Sequence, residues 1–323
     1  MAPCEGRPIL PPAWGMPERE ATPESVYLER RKFLKALGIG SLSAGLLLAG
    51  CDFRSSDAES LPPPPRDPTG RYPTSRNLRF SLDRPVTKEA IAARYNNFYE
   101  FSSDKDNVAA RAKSLRMSPW NLRASGLVSK PRTFDVDDLL RTMALEERLY
   151  RHRCVEAWAM AVPWTGFPLA ALLKQVEPRP ETRYVRFTTF DHPKPPGMRL
   201  SFWAPWPYRE GLTMAEATND LAILATGIYG HPLPPQHGGP IRLVVPWRYD
   251  FKSIVGITLT AERPATFWNT MSPEEYDFQA NVNPAKPHPR WSQKTERMLG
   301  TNERRKTLLY NGYGEWVEGL YKV

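Results

Sequence analysis

The stretch Arg151-His152-Arg153-Cys154-Val155-Glu156-Ala157-Trp158 sets a single thiol among three potentially cationic side chains, followed by an apolar, aromatic continuation. Nearby guanidinium charge favours the thiolate, and a thiolate is the donor that a soft or high-valent metal takes. The other two cysteines isolate this one. Cys4 precedes a segment with the features of an export signal, and Cys51 ends that segment's apolar run, so Cys154 has no disulfide partner inside the expected folded domain. A lone cysteine is most often a small buried hydrophobe. An oxidising compartment, where an unpaired thiol is a liability, favours the functional reading instead.

The compartment is read from the beginning of the chain. Arg30-Arg31-Lys32-Phe33-Leu34-Lys35 precedes an uncharged, small-residue apolar run from Ala36 to Cys51, the pattern of a twin-arginine export signal. That route carries a passenger already folded, as a protein loaded with a cofactor made in the cytosol has to be, and it delivers to the periplasm. Leu48-Ala49-Gly50-Cys51 resembles a lipobox, so a lipid tether at Cys51 competes with ordinary cleavage. The expected organisation is an extension and signal over 1–51, a proline-rich linker over 52–80 and a catalytic domain over 81–323. No stretch after Cys51 is apolar enough to span a bilayer, so the domain itself is expected to be soluble.

Composition narrows the partners. A hydrophobic content of 41% with 10 Trp fits a globular domain, and 34 Pro against 20 Gly favours fixed turns and long ordered loops. The formal charge of +9 suits an anionic cofactor, a membrane surface or nucleic acid. No Lys/Arg block, zinc spacing or aromatic-basic RNA motif accompanies that charge, so no nucleic acid is expected.

The elements that have to position the thiol follow from periodicity. Arg148 to Val155 is extended and places Cys154 near a strand end, where a ligand can face a pocket. Asp104–Leu115 has helical character, and Asp135 caps a short helix through Met143. Pro163–Pro168 is expected as a turn that starts a helix through Val176. Thr213 to Glu216 fits a capping box. Trp120–Val128, Tyr184–Phe190, Leu221–Thr226, Ile241–Val245 and Ser253–Ala261 read as strands. The mixture predicts an α+β fold with mixed sheets and short helices.

Two loops could hold a ligand. In Tyr95-Asn96-Asn97-Phe98-Tyr99-Glu100-Phe101, Asn96, Tyr99 and Glu100 can hydrogen-bond a polar cofactor, or the stretch is a surface turn with aromatic anchors. In the loop from His231 to Arg242, Gly238 and Gly239 allow close backbone approach, His237 donates or accepts, and Arg242 can clamp a phosphate. A rigid Pro-Gly connection is the competing reading there. Arg248 and Lys252 strengthen the case for an anion, and no nucleotide-binding glycine motif claims it. The last sixty residues, rich in Trp, Asn, Pro and Arg, show little regular pattern.

In chain order, Tyr95-Asn96-Asn97-Phe98-Tyr99-Glu100-Phe101, Arg153-Cys154-Val155-Glu156-Ala157-Trp158, Val162-Pro163-Trp164-Thr165-Gly166-Phe167-Pro168, Leu233-Pro234-Pro235-Gln236, Val245-Pro246-Trp247, Ala280-Asn281-Val282-Asn283-Pro284 and His288-Pro289-Arg290-Trp291-Ser292-Gln293 form a specific set. The chain resembles the catalytic subunits of periplasmic, molybdopterin-dependent protein-methionine-sulfoxide reductases, which have the sulfite oxidase-type molybdopterin-binding fold. The resemblance implies a molybdenum-molybdopterin cofactor with Cys154 as the protein thiolate on the metal. It implies pterin contacts from Asn96, Tyr99, Glu100 and Thr189, with His237, Arg242 and the Phe251-Lys252 segment toward its phosphate end. His237 replaces the family's usual Asn, and the 248–252 segment is shorter than usual. The implied substrate is methionine sulfoxide in oxidised proteins. The implied electron donor is a haem-containing membrane subunit, and the catalytic subunit is expected to be a monomer.

Three functions stay open from sequence: sulfoxide reduction, sulfite oxidation in the same fold, and a cofactor-free lipoprotein that binds a partner. Sulfite would need anion-selecting arginines, and Arg151, Arg153 and Arg290 are the nearest candidates.

Overall fold

A computed structural model describes residues 63–102, 104–190, 205–249 and 253–321. The chain divides into two units, Met1–Glu59 and Ser60–Val323, and the described residues all belong to the second. The twin-arginine segment, the lipobox and the Phe251-Lys252 pair lie outside the described residues.

Helices α1 (Glu89–Arg94) and α2 (Val108–Ala112) precede strands β1 (Asn121–Gly126) and β2 (Arg132–Asp135) and helix α3 (Val136–Thr142). Strands β3 (Glu146–Arg153) and β4 (Trp158–Pro168) form a long hairpin, followed by α4 (Leu169–Val176), β5 (Tyr184–Thr189), β6 (Arg209–Thr213) and α5 (Met214–Ala217). Then come β7 (Ile223–Ile228), β8 (His231–Pro232), a 3-10 turn at Pro235–His237, β9 (Arg242–Val244) and β10 (Ile254–Thr260). Helix α6 (Phe267–Met271), β11 (Thr295–Met298), β12 (Arg304–Lys306) and α7 (Gly314–Val317) give regular structure to a C-terminal region whose sequence shows little pattern.

One sheet has the order β2-β1-β10-β5-β6; the other runs β12-β11-β4-β7-β8, with β3 also on β4 and β9 also on β7. β1 is parallel to β10 and β11 is parallel to β4, while the remaining pairs are antiparallel. The α+β fold with mixed sheets is the one expected. Alternation sets the faces: on β5, Val185, Phe187 and Thr189 are buried while Tyr184, Arg186 and Thr188 are half-buried.

Two capping signals hold. Asp135 accepts from the backbone N–H of Asp137 at 2.8 Å and of Asp138 at 3.3 Å, starting α3 and burying Val136, Leu139 and Leu140. Such a cap stabilises by about 1 kcal/mol. Thr213 and Glu216 form the capping box of α5, and the buried Glu216 also accepts from Arg248 at 2.9 Å.

Three expectations are corrected. Pro163–Pro168 is not a turn but the second half of β4, and α4 starts only at Leu169. Val162 to Phe167 are all buried between β3 and β7, and that burial overrides the turn propensity of the prolines. Gly166 serves close strand approach there: a Cβ would come within 2.3 Å of Leu224 O. The helix expected over Asp104–Leu115 shrinks to Val108–Ala112. The end of the expected linker is anchored rather than free: Tyr72 OH donates to Thr226 Oγ1 at 2.8 Å, Arg76 pairs with Glu147 at 2.6 Å, and Phe80 packs edge-on against Tyr150. Burial of these aromatic rings outweighs the polar, proline-rich composition around them. Among the described residues no helix is long and apolar enough to cross a membrane.

Candidate active site

Cys154 occupies the tip of the β3–β4 hairpin. Its N–H donates to Trp158 O at 2.9 Å and its carbonyl accepts from Ala157 N at 3.0 Å, a tight loop that places Ala157 at φ +65°. The two arginines flanking it in sequence are bonded to other partners, while His152 lines the cleft with it. Arg151 donates to Asp83 and to Asn311 O, both at 3.1 Å. Arg153, fully buried, donates to Cys154 O, to Gln293 Oε1 at 2.9 Å, and pairs with Glu296 at 3.4 Å. The expectation of an Arg-stabilised thiolate is therefore corrected: burial outweighs the Arg153 charge. Burial, reinforced by the Glu156 charge, pushes the thiol up to about 12, against weaker pulls from the Glu156 N–H, Lys105 and Arg153.

The thiol faces an open cleft. Tyr99, Trp158, Tyr208, Trp268 and Tyr276 give it aromatic walls, with the Trp268 ring 5.4 Å from that of Tyr99 and 5.3 Å from that of Tyr276. Its carboxyl side chains are Glu100, Glu156, Glu210 and Asp277, and His152 also lines it.

Asn97 Nδ2 donates to Cys154 Sγ at 2.9 Å and lies 3.4 Å from Glu156 Oε2. Asn97 Oδ1 is buried with no hydrogen-bond partner among the described residues. Burial pushes the Glu156 carboxyl up, but Lys105 at 2.8 Å, with Tyr99 OH at 3.0 Å and Asn97, holds it below its ordinary value. Glu210 behaves oppositely. Burial raises it to about 7, because Arg248 is committed to Glu216 and Phe278 O and only partly offsets that, along with Tyr208 OH at 3.0 Å. Near neutral pH the cleft thus carries one ionised carboxylate beside the sulfur and one carboxyl that exchanges its proton.

The residues expected from sequence fall into two groups. Cys154, Tyr99 and Glu100 share the cleft. Asn96 is buried with its amide on Ala93 O at 2.9 Å, and Thr189, at the end of β5, has its hydroxyl 3.4 Å from Tyr208 O; neither is in the cleft lining. His237 and Arg242 come together elsewhere. Arg242 donates to His237 O at 2.8 Å and lies over the Trp164 ring at 4.8 Å, while His237 borders a second cavity with Gln236 and Lys113. Sequence reasoning missed Asn97, Glu156, Glu210 and Tyr276. Asn97 and Glu156 stand inside the two motifs; Glu210 turns inward through its register with β5, which no local pattern gives.

The donor set limits what metal can bind. Among the described residues no group of three or more His, Cys, Asp or Glu is placed to hold an ion, and Cys154 is the only cysteine. A single thiolate suffices only for a metal that brings its other donors with it, as a dithiolene-bearing pterin does. The unsatisfied Asn97 acceptor beside the sulfur offers such a group a further contact. The residues fit.

Comparison with known proteins agrees. Residues 109–268 match the oxidoreductase molybdopterin binding domain, which places the chain among molybdenum-pterin oxidoreductases. Over 319 residues it is 46% identical to the protein-methionine-sulfoxide reductase catalytic subunit MsrP of Xanthomonas axonopodis pv. citri (strain 306), covering 96% of both chains. Over 320 residues it is 44% identical to the subunit of the same name from Burkholderia mallei (strain ATCC 23344), covering 95% of this chain and 93% of that one. The crystal structure of the sulfane dehydrogenase SoxCD from Paracoccus pantotrophus aligns with a TM-score of 0.40 at 20% identity, covering 60% of this chain and 46% of that one. The chain belongs to the family of protein-methionine-sulfoxide reductase catalytic subunits.

Proposed function

We propose that this chain reduces methionine sulfoxide, free or within oxidised proteins, to methionine. The observation that carries the reading is the lone thiol in an aromatic cleft that, among the described residues, is lined by four carboxyl side chains and His152 and by no arginine or lysine. A neutral sulfoxide and its thioether product suit such walls, whereas the sulfite dianion would meet Glu100, Glu156, Glu210 and Asp277. The arginines that sulfite would need are committed elsewhere: Arg151 to Asp83, Arg153 to Glu296 and Gln293, and Arg290 to Glu275 at 2.7 Å.

Cys154 would hold molybdenum, with Tyr99 and Glu100 against the pterin in the cleft and Asn96, Thr189, His237, Arg242, Phe251 and Lys252 as its further contacts. The chemistry such a group supplies is two-electron oxygen-atom transfer, balanced by two electrons and two protons. The chain's own residues do the rest. Asn97 orients the sulfur, Glu156 keeps its charge through Lys105, and Glu210 holds or releases a proton at the cleft wall near neutral pH. Trp268 and Tyr276 exclude water from an apolar thioether.

The same reading takes the chain to the periplasm by the twin-arginine route, with a lipid tether at Cys51. It takes electrons from a haem-containing membrane subunit. The Arg30-Arg31 and Leu48–Cys51 motifs support the first, and the "catalytic subunit" name of both relatives supports a second subunit. Mass spectrometry of the mature N-terminus tests the tether; an unacylated chain starting after Cys51 rejects it.

For the activity, protein from a molybdenum-replete host is analysed for metal and assayed with methionine sulfoxide and with sulfite against a redox dye. Turnover of sulfoxide but not sulfite is expected. Cys154→Ser should keep the fold and lose both metal and turnover, since a hydroxyl replaces a soft thiolate poorly. Near-normal sulfoxide reduction by that variant removes the assigned role.

A further inference from the structure

The Cys154 loop is held from a part of the chain 138 residues away. Val155 O, the carbonyl next to the thiol, accepts two strong hydrogen bonds, from Trp291 Nε1 at 2.7 Å and from Gln293 Nε2 at 2.7 Å. Gln293, 3% exposed, uses its other amide atom too: Oε1 accepts from Arg153 Nη2 at 2.9 Å. Arg153 in turn donates to Cys154 O. The successive carbonyls of Cys154 and Val155 are therefore fixed through one side-chain network. The Trp291 indole is fixed as well, stacked on His288 at 3.8 Å and 5° between planes, with the Arg290 guanidinium 4.9 Å from its ring. The backbone joins in: Arg297 N donates to Ala157 O at 2.9 Å, where β11 runs parallel to the start of β4.

A hairpin loop held only by its own two cross-strand bonds would let the sulfur wander. Two donors on one carbonyl, each from a buried or stacked side chain, define a single loop conformation. We infer that Gln293, together with Trp291, is a positioning clamp that aims the Cys154 sulfur into the cleft by pinning Val155 O and, through Arg153, Cys154 O. Its bearing on metal binding rests on the reading of Cys154 as the metal's protein ligand. The clamp itself is made only of the chain's own residues.

Two glutamine variants separate the clamp from ordinary packing. Gln293→Glu retains an acceptor for Arg153 but adds a negative charge beside it and puts a carboxylate oxygen against Val155 O where a donor was. Gln293→Leu removes both bonds. Trp291→Phe removes the other donor while keeping a ring for His288 to stack on. The first readout is iodoacetamide modification of Cys154 in metal-free protein, mapped by mass spectrometry of the peptide carrying it. The second is molybdenum per chain after expression in a metal-replete host.

Modification of Cys154 should rise about tenfold in Gln293→Glu and Trp291→Phe, the equilibrium equivalent of one lost buried hydrogen bond, and further in the Trp291→Phe/Gln293→Glu double variant. Metal content should fall in the same order, with circular dichroism unchanged in Gln293→Glu. Unchanged modification in the double variant would overturn the clamp. Raised modification with full metal content and normal turnover would uphold the clamp and reject Cys154 as the metal's ligand, so the two failures are told apart.

Discussion

Asn97 Nδ2 donates to Cys154 Sγ at 2.9 Å across 57 residues of chain, and the other atom of the same amide, Oδ1, is buried without a hydrogen-bond partner among the described residues. A side chain that is satisfied at the sulfur and unsatisfied one bond away is poorly explained by stability. An unmet buried acceptor costs about 1–3 kcal/mol relative to an apolar replacement of similar shape. On the proposed reading, the amide gives the sulfur a donor and a bound group an acceptor.

Asn97→Leu should therefore separate stability from activity. The metal-free variant is expected to melt at or slightly above the temperature of the parent, because the unmet acceptor is gone. Its sulfoxide turnover should drop about 10–100-fold, the usual cost of removing a partner of a metal ligand. Calorimetry of the metal-free protein alongside steady-state assay of the loaded enzyme checks both, and a large loss of melting temperature would assign Asn97 to structure alone.

Glu210 gives a pH signature. Its carboxyl titrates near 7 when folded and near its ordinary value of 4.5 when unfolded, because burial in the cleft wall disfavours the charge. Between those values the folded chain keeps a proton that the unfolded chain has released. Stability accordingly declines as pH rises from about 4.5 to about 7 and stays lower above that. Glu210→Gln removes the dependence. In metal-free protein the variant should match the parent near pH 4.5 and exceed it by about 2 kcal/mol at pH 8, water in the open cleft screening part of the full effect. Urea unfolding at the two pH values checks this. A constant difference across the range would mean that the carboxyl is already ionised at low pH.

These two residues also show what was legible in the sequence. The Asp135 cap, the Thr213–Glu216 box and the position of Cys154 at a strand end are set by neighbours a few residues away, so pattern alone finds them. The choice between Asn96 and Asn97 is not local. The turn after Tyr95 sends one amide back to Ala93 O and the other to the sulfur, and only its docking against the Cys154 loop decides which. Glu210 is hidden for a similar reason: its inward direction follows from the register that pairs it with the buried Phe187 of β5, leaving Arg209 opposite Thr188 on the other face. Pro163–Pro168 shows the converse, a strong local signal overruled by neighbours on both sides.

The carboxylate of Glu296 lies between two guanidinium groups, 2.7 Å from Arg84 and 3.4 Å from Arg153, with all three side chains at most 4% exposed. Arg84 has a second carboxylate, Asp83, at 2.9 Å, whereas Arg153 has only Glu296 as a charged partner within ion-pair distance among the described residues. Glu296→Ala leaves the Arg153 charge buried next to the Cys154 loop, and burial already pulls that guanidinium below its ordinary value. Removing one partner of a buried pair costs about 3–5 kcal/mol, far more than an exposed pair is worth. The urea midpoint should fall accordingly at unchanged slope. Because Arg153 also carries Cys154 O and Gln293, the variant should lose molybdenum in proportion to its loosened loop even where it stays folded. A midpoint shift equivalent to less than about 1 kcal/mol would show that water reaches the network and screens it.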